Sequence, residues 1–265
     1  MSRFANLEFE GKERKQAESA AKQAQSAPDQ SRNDAFYLGE ADKLFRAGKF
    51  EKALRSYSRA LEINHGAFEG WFGQVRMLIE MDELPEANLW ADKALEKFKD
   101  HPKLISAKAV AQGRMSNLDK AMAFSDAAIK SQGSDAYLWL ARGEVLLASG
   151  HKNHEHCFWK STQEEPSDWF IYLCVGRSYR YHRQFALALR HLQKGLELQT
   201  GEPFLWCEHG YCQLGIAMQA AAIRSFSRAL ELDKLCEEAK QGIAAAKEIT
   251  FFDRVRRFFI DLLGN

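Results

Sequence analysis

Small side chains recur at a fixed interval along this chain. Set in rows of 34 residues from Asp34, with one row a residue short, the eighth column holds Ala41, Val75, Ala109, Gly143, Gly176 and Gly210. The twentieth holds Ala53, Ala87, Ala121, Ala188 and Ala222, and the twenty-seventh Ala60, Ala94, Ala128, Ser161, Gly195 and Ala229. The fourth is bulky, with Tyr37, Trp71, Ile105, Trp139, Tyr172 and Trp206. Three small columns and one large one at this period predict a repeat of two short antiparallel helices, close enough that larger residues in the small columns would pry them apart. The bulky column is expected to fill the space that the small ones leave. A turn between the helices is expected at Gly48-Lys49-Phe50, Asp82-Glu83-Leu84 and Ser116-Asn117-Leu118, where a helix stop is followed by a cap-like residue and an apolar anchor. The short row lies between Gly150 and Pro166 and puts His154 in the twentieth column, where the other rows carry Ala. A local irregularity is expected there.

The stretches RAGKFEKALRSYSRALEIN, from Arg46, and AAIRSFSRALELD, from Ala221, follow the pattern of the tetratricopeptide repeat family, and with the columns they make 34–236 resemble six such repeats. Their limits are 34–67, 68–101, 102–135, 136–168, 169–202 and 203–236. The resemblance implies an all-α fold, a right-handed superhelical solenoid of antiparallel helix pairs whose first helices line a concave groove. It places groove residues in the second, fifth, ninth, twelfth and thirteenth columns. Here these positions supply Phe45, Phe72, Tyr137, Phe170, Tyr181, Phe204 and Tyr211, with Arg46, Arg76, Arg114, Arg177 and Arg180 among them. Apolar area beside fixed cations suits an amphipathic helix or extended peptide that carries acidic residues. Some relatives hold the acidic end of a chaperone tail with Lys and Asn. The corresponding places here carry Leu38, Asp42, Gly73, Lys103 and Ala107, of which only Lys103 fits.

The ends depart from the repeat. Residues 1–33 are rich in Gln, Ala, Ser and charge, which predicts a flexible tail with one short apolar motif, Phe4, Leu7 and Phe9. Residues 237–249 predict a helix that caps the last repeat. In 250–265, Phe251, Phe252, Val255, Phe258, Phe259, Leu262 and Leu263 fall on one face of a helix and Arg254, Arg256 and Arg257 on another. This amphipathic segment is open to three readings: folding back on the repeats, self-association or pairing with a partner helix, and contact with a membrane surface.

Composition narrows the function. The 265 residues are 46% hydrophobic and 28% charged, with a formal net charge of +1, so no overall field gathers nucleic acid. No segment has the roughly 18 apolar residues of a membrane span, and the opening residues lack a signal-peptide core, so a cytoplasmic protein, at most peripheral to a membrane, is expected. Five scattered cysteines without a CxxC pair read as buried small residues. His151, His154 and Cys157 are the one set of metal-ligand type, but without a second pair at a known spacing they read as a His-rich turn, and neither metal nor cofactor is expected. No phosphate-binding or metalloprotease motif occurs. The chain therefore reads as a non-enzymatic scaffold or adaptor that binds a protein segment in its groove. The alternative is a peripheral membrane tether that uses 250–265 and carries a protein cargo on its repeats.

Overall fold

The computed structural model describes residues 33–131 and 135–248. The N-terminal tail, apart from Asn33, and the C-terminal amphipathic segment lie outside them. Every regular element among the described residues is helical. The order is α1 (Asp34–Arg46), α2 (Phe50–Ile63), α3 (Phe68–Glu80), α4 (Leu84–Lys97), α5 (Pro102–Arg114), α6 (Leu118–Ser131), α7 (Ala136–Ala148), α8 (His154–Glu164), α9 (Trp169–Tyr181), α10 (Phe185–Leu198), α11 (Pro203–Gly215) and α12 (Gln219–Leu232). A further helix, α13, spans 237–248. The chain forms two compact units, one built from α1 to α6 and the other from α7 to α13. Within each, odd-numbered and even-numbered helices alternate. An even helix packs on the odd helix before it and on the odd helix after it, as α2 does on α1 and α3, and α10 on α9 and α11.

The small columns are the contact surfaces. Ala41, Ala53, Ala60, Ala87, Ala94, Ala109, Ala121, Ala128, Ala188, Ala222 and Ala229 have no exposed surface at all. Where the eighth column is glycine, a large side chain of the following helix lies directly on the backbone. A Cβ on Gly143 would come within 2.6 Å of the Phe158 ring, one on Gly176 within 2.7 Å of Leu192, and one on Gly210 within 2.8 Å of Phe226. Phe226 is enclosed on its other side by Gly242 of α13, where a Cβ would lie 2.4 Å from the ring.

Over the glycines of the eighth column the space is filled by Phe158, Leu192 and Phe226 of the even helices, while the bulky fourth column fills space elsewhere: Trp71 is buried beside Trp90, and Trp206 packs on the cluster that holds Ala222 and Ala229. The fourth column has a second task. The Trp71 Nε1–H donates to the His65 carbonyl (3.0 Å), the Trp206 Nε1–H to that of Thr200 (2.9 Å) and the Tyr172 hydroxyl to that of Pro166 (3.4 Å). Each ring fastens its helix to a carbonyl of the connection that leads into it.

The turns inside each pair repeat as closely as the helices. Gly48, Asp82, Ser116, Gly150, Arg183 and Ala217 all have positive φ, between 59° and 73°. At five of them the next residue's N–H reaches back to a carbonyl five residues earlier, as Lys49 does to Leu44, Glu83 to Leu78, Asn117 to Gln112, Gln184 to Tyr179 and Met218 to Gln213. This is the bond that closes a helix on a left-handed residue. Only two of the six are glycine, so four turns hold an L side chain in a conformation that disfavours it. The irregular row appears as a short helix: α8 has 11 residues, whereas α2, α4, α6, α10 and α12 have 14 each. His154 is its first residue.

Two stability changes follow. Ala217→Gly relieves the left-handed strain at φ 60° and is expected to stabilise the second unit by about 0.5–1 kcal/mol, net of the freedom gained by the unfolded chain. Phe226→Ala empties the slot between Gly210 and Gly242 and is expected to destabilise it by about 3–5 kcal/mol. Urea denaturation followed by circular dichroism measures both.

Candidate functional site

The expected groove residues all stand on odd-numbered helices, five in the first unit and seven in the second. In the first unit, α1 presents Phe45 and Arg46, α3 presents Phe72 and Arg76, and α5 presents Arg114. The Arg76 guanidinium lies 4.5 Å from the Phe45 ring centroid and 5.6 Å from that of Phe72, so two aromatic faces hold one cation. Arg46 pairs with Asp42 one turn earlier (3.3 Å), and the Arg114 Nη1–H donates to the Ile79 carbonyl (2.9 Å), which ties α5 back to the end of α3. Phe45 is itself buried, at 4% exposure, so it offers a partner no surface of its own and serves as the floor under Arg76. Below lies Tyr57, whose phenol burial pushes up to about 12.

In the second unit, α9 supplies Phe170, Arg177, Arg180 and Tyr181, α11 supplies Phe204 and Tyr211, and α7 supplies Tyr137. Phe170, at 8% exposure, is again a core residue, while Tyr181 is 38% exposed. The centre of this set is a residue that the columns did not single out. Glu208 of α11 is almost completely buried and takes both arginines of α9: Arg177 Nη1 bonds to its Oε1, and Arg180 Nε lies 2.6 Å from its Oε2. The two guanidiniums also stand over rings of α11, Arg177 at 5.2 Å from Phe204 and Arg180 at 5.8 Å from Tyr211. Two cations on one carboxylate leave a formal charge of +1, held by packing and ion pairing. The signal for Glu208 was present in its own column. The sixth holds Gly39, Gly73, Ala107, Ala141 and Cys174 in the other rows, and a carboxylate among such small residues needs buried partners.

Further along α11, the Tyr211 hydroxyl donates to the Glu238 carbonyl at the start of α13 (2.8 Å). Burial raises its pKa to about 12. A second buried carboxylate, Glu144 of α7, accepts from the Ser178 hydroxyl of α9 (2.6 Å).

His151, His154 and Cys157 do not converge as a ligand set. His154 Nδ1 is 3.2 Å from the Tyr179 hydroxyl, its ring lies edge-on to Tyr179 at 5.6 Å, and burial lowers its pKa. Cys157 is buried, which raises its thiol. Among the described residues no three His, Cys, Asp or Glu side chains are grouped to hold a metal ion, and no helix is long and apolar enough to cross a membrane. Tyr179, fully buried, also stacks on His191 of α10 at 5.5 Å.

No protein-family model matches the chain, and no curated protein sequence matches it. Solved structures do. A tetratricopeptide repeat protein from Parabacteroides merdae is 18% identical and superposes with a TM-score of 0.51, over 88% of this chain and 91% of its own. TTC0263, a tetratricopeptide protein of Thermus thermophilus, is 15% identical over 80% of this chain and 98% of its own, with a TM-score of 0.49. YrrB, described as a tetratricopeptide protein with an unusual peptide-binding site, is 16% identical over 70% and 96%, with a TM-score of 0.41. The first of these, with the helix pairs and turns described above, shows that the chain has the tetratricopeptide repeat fold.

The His191 ring provides a pH test of the second unit. Burial, aided by Arg190, lowers its pKa from 6.5 to about 4. Below pH 6.5 the unfolded chain binds a proton that the folded chain refuses, so stability present above pH 6.5 is lost as the pH falls towards 4. The expected loss is on the order of 3 kcal/mol. It is read from urea midpoints at pH 7 and pH 4, and His191→Phe should remove the His191 share of the difference, leaving that of His154 and His209, whose pKa burial also lowers.

Proposed function

We propose that this protein is a binding scaffold whose odd-helix faces take a peptide or amphipathic helix bearing both acidic and apolar side chains. The observation that carries the reading is the Arg177–Glu208–Arg180 cluster laid on Phe204 and Tyr211. A cluster of net charge +1 beside aromatic surface accepts a carboxylate at its outer edge and an apolar side chain on its rings. The guanidiniums are already oriented by Glu208, so binding orders little that is not ordered before contact. Arg180, with 35% of its side chain exposed, is the member open to a partner, and Tyr181 beside it is the exposed aromatic neighbour. In the first unit Arg76, cradled by Phe45 and Phe72, offers the same combination of cation and apolar face. Nothing in this reading calls for catalysis.

The test uses two fluorescent amphipathic peptides of the same apolar pattern, one with Glu and one with Lys at the polar positions. The Glu peptide is expected to bind and to weaken with rising salt, and the Lys peptide is not. Arg180→Ala should weaken the Glu peptide about 10-fold, in keeping with the roughly 1–3 kcal/mol of a charge-assisted contact, and should also lower the thermal midpoint, because Glu208 loses one of its two partners, so binding is compared well below that midpoint. Equal binding of both peptides, or indifference to Arg180→Ala and Tyr181→Ala together, would refute the groove reading.

A further inference from the structure

The last helices of the second unit hold two thiols against each other. Cys207, one turn into α11, and Cys236, the residue that precedes α13, have their sulfurs 3.5 Å apart. They lie in the core cluster of Ala222, Phe226, Ala229 and Ala239, at 1% and 8% exposure. A disulfide has its sulfurs about 2 Å apart, so closure asks each sulfur to move by less than about 1 Å. The pair links elements 29 residues apart in sequence, the distance over which a covalent bond restricts the unfolded chain substantially.

We propose that Cys207 and Cys236 are a redox pair, which a hydroperoxide closes into a disulfide that staples α11 to the entry of α13. Cys236 is the thiol oxidised first. It is the more exposed of the two, and its S–H donates towards Glu238 Oε2 at 3.7 Å, a carboxylate that stands on the protein surface. Burial, followed by the neighbouring Cys236, pushes the Cys207 thiol up, so Cys207 stays protonated while Cys236 reacts and gives up its proton only as the S–S bond forms. In the first step Glu238 takes the Cys236 proton, and the thiolate attacks the outer peroxide oxygen. The O–O bond breaks, the alkoxide or hydroxide leaves and collects the proton from Glu238, and Cys236 becomes a sulfenic acid. In the second step the Cys207 sulfur attacks the Cys236 sulfur, the S–O bond breaks, and the hydroxide leaves as water with the Cys207 proton. Two thiols are oxidised by two electrons, and the peroxide is reduced to an alcohol and a water, or to two waters when it is hydrogen peroxide.

Both sulfurs are covered by the α11–α13 packing, so the first step proceeds when the start of α13 lifts. The Tyr211 hydroxyl bond to the Glu238 carbonyl holds that entry down, and the oxidation rate therefore reports how often it opens. The staple fixes α11, which also carries Phe204, Glu208 and Tyr211.

The test uses the full chain, reduced and then exposed to hydrogen peroxide under native conditions. The expected product is a monomer that has lost the mass of two hydrogen atoms. Its peptide map links Cys207 to Cys236, and its thermal midpoint is several degrees higher until dithiothreitol restores it. Cys207→Ser and Cys236→Ser should each abolish the link, Cys212→Ser should retain it, and Tyr211→Phe should speed its formation several-fold. Sulfinic acid at Cys236, links through other cysteines, intermolecular dimers, or a 207–236 link that forms only in urea would each overturn the proposal. These readouts are covalent state and unfolding, so their failure is separate from any failure of the peptide-binding reading.

Discussion

Everything in this structure depends on a large side chain of one helix resting on the bare backbone of its neighbours. Phe226 is the fullest case, closed in by Gly210 on one side and Gly242 on the other. The same contact recurs at Phe158 on Gly143 and Leu192 on Gly176, and in the first unit Tyr57 and Leu61 of α2 rest on Gly73 and Gly70 of α3. Backbone atoms cannot rotate out of the way as side chains can, so such a contact sets the separation and direction of two helices together. Hydrogen bonds and caps then act on helices whose positions are already settled. The ring-to-carbonyl bonds of Trp71, Tyr172 and Trp206 anchor the connections, and Asn33 and Asp168 close their helix starts through side-chain bonds to Phe36 and Phe170.

The candidate site inherits its rigidity from that packing. Arg177 and Arg180 come from a single turn of α9, and Glu208 comes from α11, which meets α9 both directly and through α10. A carboxylate at 3% exposure between two guanidiniums tolerates little error in the spacing of those helices, since a lost partner would leave charge buried and uncompensated. Close helix contacts and a fixed charge pattern are therefore one design seen at two levels. In the first unit the same economy appears in a different form: the Arg76 cation lies against the Phe45 and Phe72 rings.

The fold was legible because small residues at tight contacts have no substitutes. A column such as Ala53, Ala87, Ala121, Ala188 and Ala222 states a steric requirement that survives large changes elsewhere in the chain. The turns at Gly48, Asp82 and Ser116 were legible by position, but the left-handed conformation was not, since Asp82, Ser116, Arg183 and Ala217 adopt it without the glycine that would announce it. The site was half legible. Reading columns identifies which residues share a position, and it found the arginines and aromatics. It says nothing of which residues meet across columns, so the union of Arg177 and Arg180 with Glu208, and of Cys207 with Cys236, escaped it. Burial of Phe45 and Phe170 escaped for the same reason, because exposure is decided by neighbours from other rows. Segments outside the 34-residue repeat, such as the amphipathic 250–265, gave the columns nothing to align.

The slot around Phe226 has a consequence for how such a chain can grow. The ring belongs to α12, but its walls belong to the helices on either side, so the unit that packs straddles two of the units that repeat in the text of the sequence. A new repeat inserted whole at a turn would meet correct walls on both faces, whereas one cut at the boundary between pairs must bring a helix that can close the final slot. Lengthening by duplication is thereby easy in the interior, whereas any helix that follows an even helix must bring a residue as small as Gly242 to admit the ring beside it.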